Sequence, residues 1–181
     1  DTDLEPVWGM DKIEFDKANR RIRFHHPEIQ LDLGGIAKGY ALDICRELLE
    51  EQEVENALLH GGTSSALALG SAPDGASWKI ATPDPRRQLD PNAIHFPSHE
   101  TPLAVFELKN EALSVSSILG KGFLQSEAES REESVIPGAQ EKVWLGHVLD
   151  PINGKPVTGG VSAFAIGSSA AWMDGLTTAL I

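Results

Sequence analysis

The chain has 181 residues, 41% hydrophobic and 23% charged, which is enough apolar sequence for one sizeable core and shows no bias toward disorder. Its formal net charge of -12 repels nucleic-acid phosphates, and its basic residues cluster only at Arg20, Arg21 and Arg23 and at Arg86 and Arg87, which argues against a nucleic-acid partner. No run reaches the roughly 18 to 20 apolar residues of a membrane span, the first residues lack the zones of a signal peptide, and the lone Cys45 excludes an internal disulfide or a thiolate zinc site.

In chain order, KIEFDKANRRIRF (12–24) alternates on both sides of an Asp-Lys-Ala-Asn turn and predicts a β-hairpin. From Gly35, the residues Ile36, Tyr40, Ile44 and Leu48 recur at fourfold spacing among Asp43, Arg46, Glu47, Glu50 and Glu51, which predicts an amphipathic helix buried along that stripe. Cys45 is read as a packing residue on the same helix. NALLHGG (56–62) and SALALG (65–70) predict strands around a glycine turn, WKIAT (78–82) another strand, and PLAVFELKNEALSVSS (102–117) a hairpin turning at Lys109 and Asn110. The polar stretch 126–142, with Pro137 and Gly138, predicts a surface excursion without chemistry. WLGHVLDP (144–151) and VSAFAIG (161–167) predict buried strands, and the last fourteen residues a helix capped by Ser168 or Ser169. With no repeat or linker, the expected fold is α+β: a single domain of mixed or antiparallel sheet packed with helices.

Four groups of residues invite chemistry. LDLGGIAKGYALD (31–43) leads through paired glycines into the helix, so a structural turn and an anion cradle fit it about equally; Lys38 adds positive charge one turn in. Asp32 suits either a ligand contact or a cap. In GHVLDPINGKP, His147 and Asp150 sit on opposite sides of a strand end, where a satisfied histidine and a turn-forming Asp-Pro are the plain alternative. Asp174 and Thr178 lie four apart, so a helix projects both oxygens from one face, where a hard cation fits beside a phosphorylated ligand. Ser114, Ser116 and Ser117 suit a solvated face or ligand hydrogen bonds equally. The pairs His25–His26 and His95–His99 carry little metal signal, and no Gly-x-Ser-x-Gly elbow supports a serine hydrolase.

Taken together and in this order, LDLGGIAKGYALD, NALLHGG, LSVSS, GHVLDPINGKPV and MDGLTTAL resemble the FAD:protein FMN transferases, the ApbE-like family. The resemblance runs from Leu4 to the last residue and implies one ApbE-like domain over residues 1–181, incomplete at both ends. It implies a magnesium-dependent transfer of FMN from FAD to a Thr or Ser of a target flavoprotein, with release of AMP. By resemblance, Asp32 and Lys38 contact FAD, Val148 lines the flavin pocket, and the Gly35 carbonyl, Asp174 and Thr178 hold Mg2+. His147 is the nearest candidate base for the acceptor hydroxyl. The same residues also suit an FAD pyrophosphatase or a non-catalytic FAD-binding protein. The resemblance implies a periplasmic or membrane-anchored setting, although these residues carry no export signal. Gly34 and Gly35 are expected at the mouth of a cleft, and Asp174→Ala is expected to abolish turnover while sparing the fold.

Overall fold

Among the described residues, strand-forming runs separated by turns pair antiparallel, and two helices cover one face of the four-stranded sheet. The computed structural model describes residues 8–84, 102–118, 122–126, 142–157 and 162–181, with only the backbone of 122–126 and 142–145. The predicted surface excursion within 126–142 and the residues His95 and His99 lie outside these ranges.

After a 3-10 turn at Met10–Lys12, β1 (Ile13–Asp16) and β2 (Arg21–Phe24) form the predicted hairpin, pairing Ile13 with Phe24 and Asp16 with Arg21. The Asp16 carboxylate closes its turn by accepting from the backbone and side-chain nitrogens of Asn19. Helix α1 (Ala37–Glu51) is followed by β3 (Ala57–His60), β4 (Ser65–Leu69) and β5 (Trp78–Thr82), then β6 (Ala104–Leu108) and β7 (Ala112–Ser117). β8 (Gly122–Ser126) pairs with β9 (Lys142–Gly146), and β10 (Ser162–Gly167) leads into α2 (Ala170–Ala179). Ser169 is the α2 N-cap, its hydroxyl accepting from the Trp172 amide.

The main sheet has the order β10-β7-β4-β3. On one face, Leu42 of α1 and Ala170 of α2 pack with Leu67, Leu69 and Ala112; on the other, Ala68 and Leu113 pack with Leu108, Trp78, Ile80 and Phe106 of the β5–β6 ribbon. The result is three layers, with helices, sheet and ribbon stacked in that order. Being covered on both sides, β4 is buried at all five positions, as the unbroken Ser-Ala-Leu-Ala-Leu run suits.

Two expectations are corrected by this arrangement. β6 and β7 do not form a hairpin: β6 pairs with β5, whereas β7 pairs with β4 and β10. The chain crosses between layers at Lys109–Glu111, and Asn110, at φ 56, holds the crossing by accepting the Gly70 amide at 2.7 Å. Nor is the fourfold stripe of α1 its buried side. Ile36, Tyr40, Ile44 and Leu48 are exposed, Tyr40 at 62%, as is Cys45. Gly39 and Leu42 are buried instead, with Asp43, Arg46 and Leu49 half-buried beside them. The reason is the contact with α2: a Cβ on Gly39 would overlap the backbone of Ala170, so the helices cross where only glycine fits, and that crossing fixes the rotation of α1.

Candidate active site

Each helix caps the other across this crossing. The α1 N-cap position is Ile36, which has no side-chain oxygen to offer. The Gly39 amide, unpaired in the first turn of any helix, donates instead to Asp174 Oδ2 of α2 at 2.7 Å. In return, Asp43 of α1 accepts from the Ala170 and Ala171 amides and from the Ser169 hydroxyl at the start of α2. Arg46 completes the tie, donating to the Ser168 carbonyl at 2.6 Å and to Asp43 at 3.2 Å.

Burial is the largest single influence on the Asp43 carboxyl and pushes its pKa up. The Ala170 and Ala171 amides, the Ser169 hydroxyl and the Arg46 charge together outweigh it and hold the pKa below the usual carboxylate value. A lowered folded-state pKa contributes stability above the unfolded carboxylate value, and that stability is lost as pH falls through the lower folded value. Urea denaturation at pH 6 and pH 3 is therefore expected to show Asp43→Asn less stable than the parent at pH 6, by about 1 kcal/mol for weakened caps, with a smaller gap at pH 3. Parallel pH dependences for the two proteins contradict the assignment.

Asp174 is 4% exposed. Its Oδ1 accepts from both Ser65 Oγ and Ser114 Oγ at 2.7 Å. The register explains the pairing: Ser65 of β4 and Ser114 of β7 are direct cross-strand partners, so both hydroxyls rise from one face of the sheet. Two residues along β7, Ser116 Oγ donates to Thr177 Oγ1 at 2.9 Å, and Thr177 donates to the Asp174 carbonyl at 3.1 Å. The twofold repeat of the strand thus meets the threefold step of the helix. Ser65, Gly39 and Thr177, the last at 0% exposure, were not legible as site residues. The only sequence signal was the Ser114–Ser116 alternation, whose hydroxyls bind protein groups here.

Thr178 faces the glycine loop. Its hydroxyl donates to the Asp174 carbonyl at 3.0 Å, and Oγ1 lies 3.3 Å from where a Gly35 Cβ would stand. The helical ladder of α1 opens with Tyr40 N to Ile36 O, so the Gly35 carbonyl sits just ahead of it. Asp32 on this loop and Lys38 in the first turn of α1 are exposed: Asp32 Oδ1 accepts the Gly34 amide at 2.7 Å, and Lys38 Nζ donates to the Gly34 carbonyl at 3.5 Å. Gly35 and Thr178 are thereby brought together from opposite ends of the chain, with Asp32 and Lys38 on the adjacent Gly34, while the Asp174 carboxylate, one turn earlier on α2, meets Gly39.

His147 and Val148 belong to a different element, the turn after β9. His147 is exposed and Val148 half-buried, with its carbonyl accepting the Val157 amide at 2.9 Å. Asp150 is a turn-former, accepting from the Ile152 amide and Asn153 Nδ2. Trp8 closes over this turn, donating to the Pro151 carbonyl at 3.1 Å with its ring against Gly154. The cleft expected at Gly34 and Gly35 differs from the cavity near β5, about 330 Å³ and lined by Asn56, Ser71, Ala72, Pro73, Gly75 and Trp78. The side chains of Asp32, on the loop, and Lys38, in the first turn of α1, lie open to solvent instead.

The oxygens on this side of the helix crossing are the Gly35 main-chain carbonyl, the Thr178 hydroxyl, whose proton is committed to the Asp174 carbonyl, and, one turn along α2, the Asp174 carboxylate on Gly39. That chemistry fits a hard divalent cation with water or phosphate filling the remaining positions. Among the described residues, no group of three or more His, Cys, Asp or Glu side chains is placed to hold a metal by itself.

The sequence model of the ApbE family matches residues 2–181. This chain belongs to the ApbE family. It is 27% identical over 156 residues to the FAD:protein FMN transferase of Vibrio cholerae serotype O1, covering 86% of this chain and 39% of that one. It is 25% identical over 180 residues to the FAD:protein FMN transferase of Chlamydia trachomatis serovar D, covering 95% and 45%. The crystal structure of the ApbE protein of Thermotoga maritima superposes with a TM-score of 0.70 at 27% identity, covering 94% of this chain and 46% of that one. The apo form of the Pseudomonas stutzeri flavinyl transferase ApbE gives 0.67 at 27%, covering 96% and 45%. The α+β arrangement of the described residues, antiparallel sheets with two helices, is thus an ApbE fold. The 181 residues span less than half the length of each of these relatives. No helix among the described residues is long and apolar enough to cross a membrane.

Proposed function

We propose that this ApbE-family chain acts in magnesium-dependent FAD:protein FMN transfer, esterifying FMN to a Thr or Ser of a target flavoprotein and releasing AMP. The observation that carries this reading is the meeting of Thr178 and Gly35, with Asp174 on the same helix turn capping α1. Gly35, Asp174 and Thr178 would hold Mg2+, which when bound neutralises diphosphate charge and polarises the phosphoryl oxygens. Lys38 adds a positive charge on the same side of the loop, and Asp32 shapes the loop by fixing the Gly34 amide. The acceptor hydroxyl forms the new P–O bond as the bond to the AMP phosphate breaks, and the exposed imidazole of His147 takes the hydroxyl proton.

The test is to incubate the protein with FAD, MgCl2 and a peptide bearing an Asp-x-x-Ser/Thr-x-x-Thr acceptor, then weigh the peptide by mass spectrometry. An FMN adduct supports transfer; free FMN and AMP with unmodified peptide indicate hydrolysis; unchanged FAD leaves binding alone. Lys38→Ala is expected to weaken FAD binding at low salt, with the difference shrinking as salt rises, because an exposed ammonium acts on diphosphate through a screened charge. Fluorescence titration of FAD at two ionic strengths checks this, and equal affinities at low salt remove Lys38 from the site.

A further inference from the structure

We infer that Ser65 and Ser114 set the cation preference of the site by leaving Asp174 a single coordination position. This rests on the reading that Asp174 holds a cation. An ionised carboxylate offers about four lone-pair directions. Among the described residues, Ser65 and Ser114 occupy both on Oδ1, and the Gly39 amide occupies one on Oδ2. One direction remains, on Oδ2, so Asp174 ligates through one oxygen and does not chelate.

That distinction separates the two common hard cations. Mg2+ demands a near-octahedral shell and takes one or two single-oxygen carboxylate contacts completed by water and phosphate, whereas Ca2+ takes more ligands at longer range and uses two-oxygen carboxylate contacts freely. The hydroxyl pair is held rigidly for this task. Ser65 and Ser114 face each other across β4 and β7, and Ser114 Oγ also lies 3.1 Å from Thr177 Oγ1, which Ser116 supports in turn. Asp174 cannot rotate toward two-oxygen binding without breaking two 2.7 Å hydrogen bonds. Ser65 and Ser114 are positioning residues, acting on the cation through Asp174.

The experiment reads thermal melting of the 181-residue protein with FAD as MgCl2 or CaCl2 is titrated, so that no turnover is needed. The parent is expected to respond to Mg2+ at lower concentration than to Ca2+. Ser65→Ala and Ser114→Ala are each expected to weaken the Mg2+ response about tenfold, the lower end of the effect of removing a group that orients a metal ligand, while the Ca2+ response holds or strengthens. Ser65→Thr, which keeps the hydroxyl, restores the parent preference. Alanine variants that keep the parent ratio of Mg2+ to Ca2+ response overturn the inference, even where both responses weaken. So does a parent that responds equally to the two ions, which needs no variant to fold. A parent response that persists unchanged in Asp174→Asn overturns instead the underlying placement of the cation on Asp174.

Discussion

Gly39→Ala is expected to destabilise the protein by about 3 kcal/mol or more, as overpacking against a rigid backbone does at its upper end. The added methyl would stand 2.6 Å from the Ala171 nitrogen and inside the contact radii of the Ala170 carbonyl. Both obstacles are main chain, so no side chain can swing away. Helix propensity alone gives the opposite sign, since alanine in a helix interior is favoured over glycine by about 1 kcal/mol. Relief of the clash would part α1 from α2, stretching both reciprocal caps, the Gly39–Asp174 bond and the Asp43 bonds to Ala170 and Ala171. Equilibrium denaturation in urea decides between the two signs: equal or raised stability means the helices do not cross at Gly39 as described.

Asp174→Ala is expected to cost about 3 kcal/mol or more of stability, since the three buried donors it leaves without their acceptor cost about 1 to 3 kcal/mol each. The expectation that this substitution spares the fold is therefore withdrawn: a helix-face aspartate read as polar surface is here buried at 4% exposure under three hydrogen bonds. Its loss leaves the Gly39 amide and two serine hydroxyls facing an apolar gap. Asp174→Asn is expected to be much milder. The asparagine oxygen still accepts from Gly39, its amide nitrogen donates to the serine oxygens, and Ser114 turns its own proton toward Thr177, a contact in which either oxygen can donate. Activity lost in Asp174→Ala cannot separate ligand from scaffold. Asp174→Asn, folded but with a neutral oxygen in place of the carboxylate, is the variant that does. An alanine variant as stable as the parent contradicts the buried cluster.

Much of this protein is determined locally. The β1–β2 hairpin, helix α1, strands β3, β4, β5, β7 and β10, and helix α2 with its Ser169 cap all follow from alternation, periodicity and capping, which act over a few residues. The i, i+4 spacing of Asp174 and Thr178 places both on one side of α2 wherever that helix packs, and the glycines at 34 and 35 announce a loop entering α1. What sequence could not decide was which surfaces meet. The fourfold stripe of α1 from Ile36 to Leu48 predicts burial, yet the buried side carries Gly39 and Leu42, because a glycine that admits the Ala170 backbone sets the rotation of α1 and has no hydrophobic signature of its own. The β6–β7 turn has hairpin chemistry, but the layer each strand joins depends on partners elsewhere in the chain. Ser65, Ser114 and Thr177 are small neutral residues of ordinary type. Only the antiparallel register of β4 and β7, together with the helix crossing above them, brings hydroxyls from 109 and 60 residues away onto one carboxylate.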